Sequence, residues 1–228
     1  MGAQNIELRD QPAYTLSEAA RYLKLPAATL RSWTLGRSYP TAAKTAHFKP
    51  LIRAVNDDPT QLSFYNLIEA HVLRSLRVDH GVGIKEMRDA VRYAESSLKI
   101  ARLLLHKGLC AHAGEVFLDK YGELLNLSRS GQLAMRRLLA EHLKRVEWDQ
   151  HSFPIRLYPF VSSGAASEKP IAIDPFIAFG RPIVLRAGVS THAIAGRLDA
   201  GESVDELAED YGLTGTEIEE AALYERAA

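Results

Sequence analysis

The chain has 228 residues, 46% of them hydrophobic and 25% charged, with 28 basic and 28 acidic side chains in balance. That composition is ordinary for a soluble globular protein long enough to bury a core in one or two domains. No apolar run approaches the ~20 residues of a membrane helix, MGAQNIELRD has no signal-peptide core and the lone Cys110 excludes an internal disulfide, so a cytoplasmic protein with no membrane contact is expected.

The first informative stretch is Thr15 to Trp33, TLSEAARYLKLPAATLRSW. Thr15 with Glu18 makes a capping box, and Leu16, Ala19, Ala20 and Leu23 fall on one helical face. Pro26 then stops the helix, because it lacks an N–H and disfavours helical dihedrals in Leu25. A second helix follows, with Ala27, Leu30 and Trp33 inward and Ala28, Thr29, Arg31 and Ser32 outward. Small or polar residues around one arginine suit a helix entering the major groove, where Arg pairs bidentately with guanine. The pattern predicts a DNA-binding helix-turn-helix with Thr29, Arg31 and Ser32 towards the bases. Gly36, Pro40 and Pro50 argue against more helix, so a wing is expected next, with Arg37, Lys44 and Lys49 on phosphates.

Charge supports this reading. From Ser17 to Arg53 seven basic residues stand against one acid, a net +6. From Gly201 to Ala228 nine acids stand against Arg226, a net −8. A basic head and an acidic tail predict different partners for the two ends.

NDDPTQ, at Asn56 to Gln61, marks a turn, after which Phe64, Ile68, Val72 and Leu76 form the row of a helix with Gly81 as a plausible stop. With Gly81, Ile84, Lys85, Glu86, Met87 and Arg88 following, residues 14 to 95 resemble the MerR family of winged helix-turn-helix regulators. The cysteine-bearing effector loop of its metal-sensing members is missing. Ile84, Met87, Val91, Ala94, Leu98, Ala101 and Leu105 alternate in a 3-4 seam, which suits a dimer helix and intrachain packing equally.

A β-hairpin is expected over 116–127 and a helix over 131–147, with Met135, Leu139, Leu143 and Val146 inward. Arg156 to Phe160 reads as extended. SSGAASEK, at Ser162 to Lys169, has the composition of a linker.

The remainder predicts a small hairpin over 171–185 and three short helices. Thr191 caps the first, Ser203 with Glu206 the second and Thr214 with Glu217 the third. Glu217, Glu219 and Glu220 on that third helix would repel phosphate, so it is expected to bind protein or face water rather than read DNA. Ile173-Asp174-Pro175, Phe179-Gly180-Arg181-Pro182, Ala200-Gly201-Glu202-Ser203 and Leu207 to Leu213 together resemble a small domain family of unknown function associated with antitoxins. The whole chain then looks like a VapB-type antitoxin of the longer, MerR-like class. That resemblance implies a PIN-like ribonuclease toxin as partner, repression of its own operon through operator DNA, and an antitoxin arginine set among the toxin's metal-binding carboxylates. Arg156, Arg181 and Arg186 are the candidates.

Catalytic signatures are missing: no Walker A sequence, no G-x-G-x-x-G and no G-x-S-x-G. His106, Cys110 and His112 lack the second ligand pair of a zinc site. Neither an enzyme, a metal nor a cofactor is expected. The expected fold is mainly α with short β-hairpins. A winged helix-turn-helix (1–56) precedes a central helical region (57–161), a linker (162–169) and a three-helix, helix-turn-helix-like domain (170–228) that is not expected to read DNA. A homodimer is expected. The rivals are a stand-alone MerR-like regulator and a protein-interaction scaffold.

Overall fold

The computed structural model describes residues 8–40, 45–57, 60–78, 84–99, 101–106, 136–137, 139–159 and 169–226. Strand β1 (Tyr14–Thr15) leads into helix α1 (Leu16–Tyr22). The Glu18 N–H donates to Thr15 Oγ1 at 3.2 Å, and the Thr15 N–H donates back to the Glu18 carboxylate at 2.9 Å. Leu23, Lys24 and Leu25 turn the chain into α2 (Ala27–Thr34), with Lys24 left-handed at φ 51°. Ala19, Ala20, Leu23, Leu30 and Trp33 are buried as their spacing requires. Ala27 is exposed, contrary to expectation. Thr34 takes the inner place instead, its hydroxyl satisfied by donating to the Leu30 carbonyl at 3.0 Å.

Strands β2 (Arg37–Pro40) and β3 (Thr45–Phe48) form a two-stranded hairpin where the wing is expected, Arg37 opposite Phe48. The segment read as a bare turn is a second hairpin, β4 (Asn56–Asp57) with β5 (Thr60–Leu62), and β5 also pairs β1.

Helix α3 (Phe64–Val78) is the centre of the main core. Ser63 and Asn66 cap it reciprocally, at 3.1 and 3.2 Å. Phe64, Ile68, Val72 and Leu76 are buried, but so are Tyr65, Leu67 and Leu73 on its other sides. Helix α4 (Ile84–Leu98) buries Met87, Val91 and Ala94 against this core. The middle of the 3-4 seam, from Met87 to Ala94, is therefore covered inside the chain. The seam also ends early, because Lys99 and Arg102 are left-handed and a 3₁₀ turn at Leu103–Leu105 replaces the helix.

The expected stop at Gly81, the hairpin over 116–127, Cys110, His112, Met135 and the linker's 162–168 lie outside the described residues. Leu139 and Leu143 are buried on a helix as expected, but Val146 is not helical. It starts β6 (Val146–Trp148), which pairs with β7 (Pro154–Leu157).

The expected three-helix C-terminal domain needs correction. Helices α5 (Thr191–Asp199), α6 (Val204–Tyr211) and α7 (Gly215–Arg226) are present, but the strands before them belong to a larger sheet. β8 (Ile171–Ile173), β9 (Pro182–Val184) and β10 (Val189–Ser190) join β6 and β7 in one antiparallel sheet of order β10-β9-β8-β7-β6. Leu157 stands opposite Ile173, so the sheet crosses the expected boundary at 162–169. The cause lies in the residues. Ile-Ala-Ile and Pro-Ile-Val are buried at every position, and a lone two-stranded hairpin would leave them wet.

Ser203–Glu206 and Thr214–Glu217 cap as predicted, and Gly212 ends α6 at φ 62°. Thr191 does not cap. Ser190 holds that position, while Thr191 is buried, its hydroxyl on the Glu225 carboxylate at 2.6 Å. Val184, Ile194, Leu207, Ile218 and Ala221 form a second core beneath these helices.

Candidate nucleic-acid interface and the candidate arginines

Helix α2 presents a shallow outer face. Ala28 and Arg31 are exposed, Thr29 and Ser32 half-buried. The Ser32 hydroxyl donates to the Thr29 carbonyl at 2.8 Å, which turns it back onto its own helix. Arg37 at the start of the hairpin and Lys49 just beyond it are exposed, as is Arg53. Lys44, predicted with them, lies outside the described residues. The structure thus brings one exposed arginine on α2 into the same head as a basic hairpin, a surface that suits a base edge flanked by phosphates.

The basic head does not stand alone. The last helix, α7, packs against α1 and its turn. Tyr224 is buried, and its hydroxyl donates to the Tyr22 carbonyl at 2.9 Å. Arg21 pairs with Glu225 at 2.7 Å, and Glu225 is itself largely shielded from water. The Lys24 ammonium donates to the Tyr224 carbonyl and lies 4.0 Å from the centre of its ring. This places a cation against the last turn of α7, where unpaired carbonyls gather negative charge. Burial lowers the Lys24 pKa to about 8, with Arg21 pushing the same way and Glu225 opposing. Opposite net charge at the two ends therefore marks an internal contact, not only separate partners. Arg21 and Lys24 are engaged by the tail, which leaves Arg31, Arg37, Lys49 and Arg53 as the exposed cations of the described head.

Of the three candidate arginines, two are engaged by carboxylates. Arg156 donates to Asp174 at 2.8 and 3.1 Å and to Glu147 at 2.9 Å, joining β7 to β6 and the β8 exit. Arg186 grips Glu217 through two bonds of 3.0 and 2.7 Å, which pulls the Glu217 pKa down to about 2. Arg181 is exposed and, among the described residues, its guanidinium has no hydrogen-bonded or ion-paired partner. It follows a 3₁₀ turn, Ala178–Gly180, whose Phe179 is 90% exposed. The sequence reading passed over Phe179, Tyr22 and Tyr224. Phe179 sits within the quoted Phe-Gly-Arg-Pro motif, and that motif was the available signal.

Comparison with known proteins gives matches to two domain families, to relatives along nearly the whole chain and to a solved structure. Residues 12–91 match a family described as "Putative DNA-binding HTH domain", and residues 171–224 match "Protein of unknown function (DUF433)". The chain is 30% identical to "Putative antitoxin VapB45" of Mycobacterium tuberculosis, over 96% of this chain and 97% of that one. It is 26% identical to the uncharacterized protein Rv2308 of the same organism, over 94% and 90% of the two chains. The crystal structure of Rv2018 from Mycobacterium tuberculosis superposes with a TM-score of 0.67 at 24% identity, covering 93% of this chain and 98% of that one. This last likeness concerns the fold.

Proposed function

Since the chain belongs to the VapB-type antitoxin family represented by VapB45, we propose that it neutralises a PIN-like ribonuclease toxin and represses its own operon. An antitoxin-like, DNA-binding role follows from that kinship and from the helix-turn-helix match over residues 12–91. The observation that carries the DNA half is the exposed Arg31 on α2 beside exposed Arg37 and Lys49. In this reading Arg31, with Thr29 and Ser32, meets base edges, while Arg37, Lys44 and Lys49 hold phosphates. A dimer sets two α2 helices in successive major grooves of a palindromic operator. Because Met87, Val91 and Ala94 of the α4 seam are buried within each chain, its contacts lie elsewhere.

For the toxin, the proposal narrows to Arg181. Arg156 and Arg186 already satisfy carboxylates within the chain, and drawing either away would leave a low-pKa or buried acid unpaired. Arg181 carries no such cost, and its guanidinium suits a cleft of metal-binding carboxylates. The role is binding, not catalysis.

The test is growth after inducing the neighbouring reading frame alone and together with this chain. Arrest that the chain relieves supports the antitoxin reading. No arrest, or arrest it fails to relieve, supports instead a regulator without a toxin, the second reading that the exposed α2 face still allows.

A further inference from the structure

Phe179 is 90% exposed, whereas every other large apolar side chain described is at most 47% exposed. Its backbone is unusual as well. Ala178, Phe179 and Gly180 are left-handed in succession, at φ 49°, 56° and 73°, and only the last is a residue suited to it. Such strain persists only where the surroundings enforce it. Here they do. The Phe176 N–H donates to Asp174 at 2.9 Å, and Arg156 clamps the same carboxylate. The Gly180 and Arg181 N–H groups donate to the Ile177 and Ala178 carbonyls at 3.0 and 3.1 Å. Beneath the turn, Gly180 rests on buried Tyr14 so closely that an added Cβ would lie 2.2 Å from its hydroxyl. A rigid, strained turn thus holds an aromatic ring in water, two residues from an arginine whose guanidinium has no hydrogen-bonded or ion-paired partner among the described residues.

We propose that Phe179 is the docking anchor for the neutralised toxin and seats in an apolar pocket at the rim of that partner's carboxylate-lined cleft. This rests on the antitoxin reading. Phe179 and Arg181 are both exposed and only two residues apart on this turn, and an aromatic together with a guanidinium is the chemistry of protein-interface anchors. Arg181 is the cation assigned above to the toxin's acidic cleft, so a ring on the same rigid turn falls within the same contact. The half-exposed Phe176, with the Arg9 guanidinium 5.9 Å above its ring, widens the apolar surface beside the anchor.

The test uses the full chain and the purified product of the adjacent reading frame. Phe179→Gly keeps the left-handed turn and removes the ring, and Phe179→Asn does the same with another residue that tolerates positive φ. Both are expected to melt at or above the wild-type temperature, bind the partner at least tenfold more weakly and lose growth rescue, while Phe179→Tyr retains both functions. Either ring-deleted variant binding within twofold of wild type overturns the proposal, whatever happens to self-association or duplex binding. If wild type itself neither binds nor rescues, the antitoxin reading falls and takes the anchor with it. If only the variants' binding is unaffected, that reading stands and the anchor alone is wrong.

Discussion

The Tyr224 hydroxyl donates to the Tyr22 carbonyl across 202 residues of sequence, at 2.9 Å. That bond sits among an ion pair, a lysine at a helix end and an edge-on Tyr14–Tyr22 contact with ring centres 6.1 Å apart. The last helix is in this way part of the support under the helix-turn-helix. Tyr224→Phe keeps the ring and removes one buried bond, so it should cost about 1 kcal/mol. Tyr224→Ala empties the space beneath α1 and should cost about 3–5 kcal/mol. Urea unfolding of the two variants checks the ratio; equal losses would mean the ring contributes nothing beyond its hydroxyl.

Arg31 and Lys49 should fail differently on DNA. Arg31→Ala removes a base-edge contact, costing on the order of 1–3 kcal/mol and relaxing preference at one position of the site. Lys49→Ala should weaken all duplexes alike and flatten the salt dependence by about one phosphate. Titration of the chain's own upstream region at several salt concentrations separates the two. Unchanged binding by Arg31→Ala would remove α2 as the recognition helix.

What could be read from the residues was mainly local. Capping boxes at Thr15, Ser203 and Thr214 involve partners three residues apart, so spacing alone located three helix starts. The α3 row was found for the same reason, although burial on its other sides depends on elements far along the chain. Pairing at distance was not legible. Nothing in Ile171-Ala172-Ile173 names Leu157 as its neighbour, and the apparent linker between them concealed a continuous sheet. The charge asymmetry was visible, but its use was not, because Arg21–Glu225 becomes an ion pair only once α7 folds back onto α1. Among the arginines, the lack of an ion-pair partner among the described residues was what distinguished Arg181, and pairing is a property of the fold.

The candidate arginines should separate by stability as well as by function. Asp174 is buried, and Arg156→Ala would strand its charge, a loss expected at about 3–5 kcal/mol. Arg186→Ala breaks a pair whose arginine is exposed and whose Glu217 keeps its two bonds from Thr214, so it should cost only about 1 kcal/mol. Arg181→Ala should leave the unfolding midpoint unchanged and reduce only toxin inhibition. Chemical denaturation alongside growth rescue distinguishes them. Loss of rescue by Arg186→Ala at full stability would move the neutralising role from Arg181 to Arg186.

Gly180 and Tyr14 form a tighter test of packing. Gly180→Ala meets both a left-handed φ of 73° and the Tyr14 hydroxyl, so a loss of about 2–4 kcal/mol is expected. Tyr14→Phe alone should be close to neutral, because that hydroxyl is buried with no hydrogen-bond partner among the described residues. Combined with Gly180→Ala it removes the nearest clash and should recover part of the loss. A double-mutant cycle in urea reads the coupling; strict additivity would show that the backbone angle alone, and not the hydroxyl, excludes a side chain at 180.

His71 should dominate one limb of the pH–stability profile. It is buried, its Nε2 lies 3.1 Å from the His142 carbonyl, and the two rings are 5.5 Å apart. Burial lowers its pKa to about 3, with His142, Arg74 and Arg145 opposing a further positive charge. The folded chain therefore refuses a proton that the unfolded chain takes up below its ordinary pKa near 6.5. Stability is fully present above that value and falls as the pH drops from 6.5 towards 3. Between pH 7 and pH 5 the loss should be about 2 kcal/mol. His71→Gln keeps a group able to reach the His142 carbonyl but cannot titrate, so its unfolding midpoint should change less over that interval, even if it is lower at pH 7. Urea midpoints at pH 7, 6 and 5 for both proteins give the comparison. Parallel profiles would assign the acid sensitivity to groups other than His71, and would mean that the open chain gains no proton there that the core excludes.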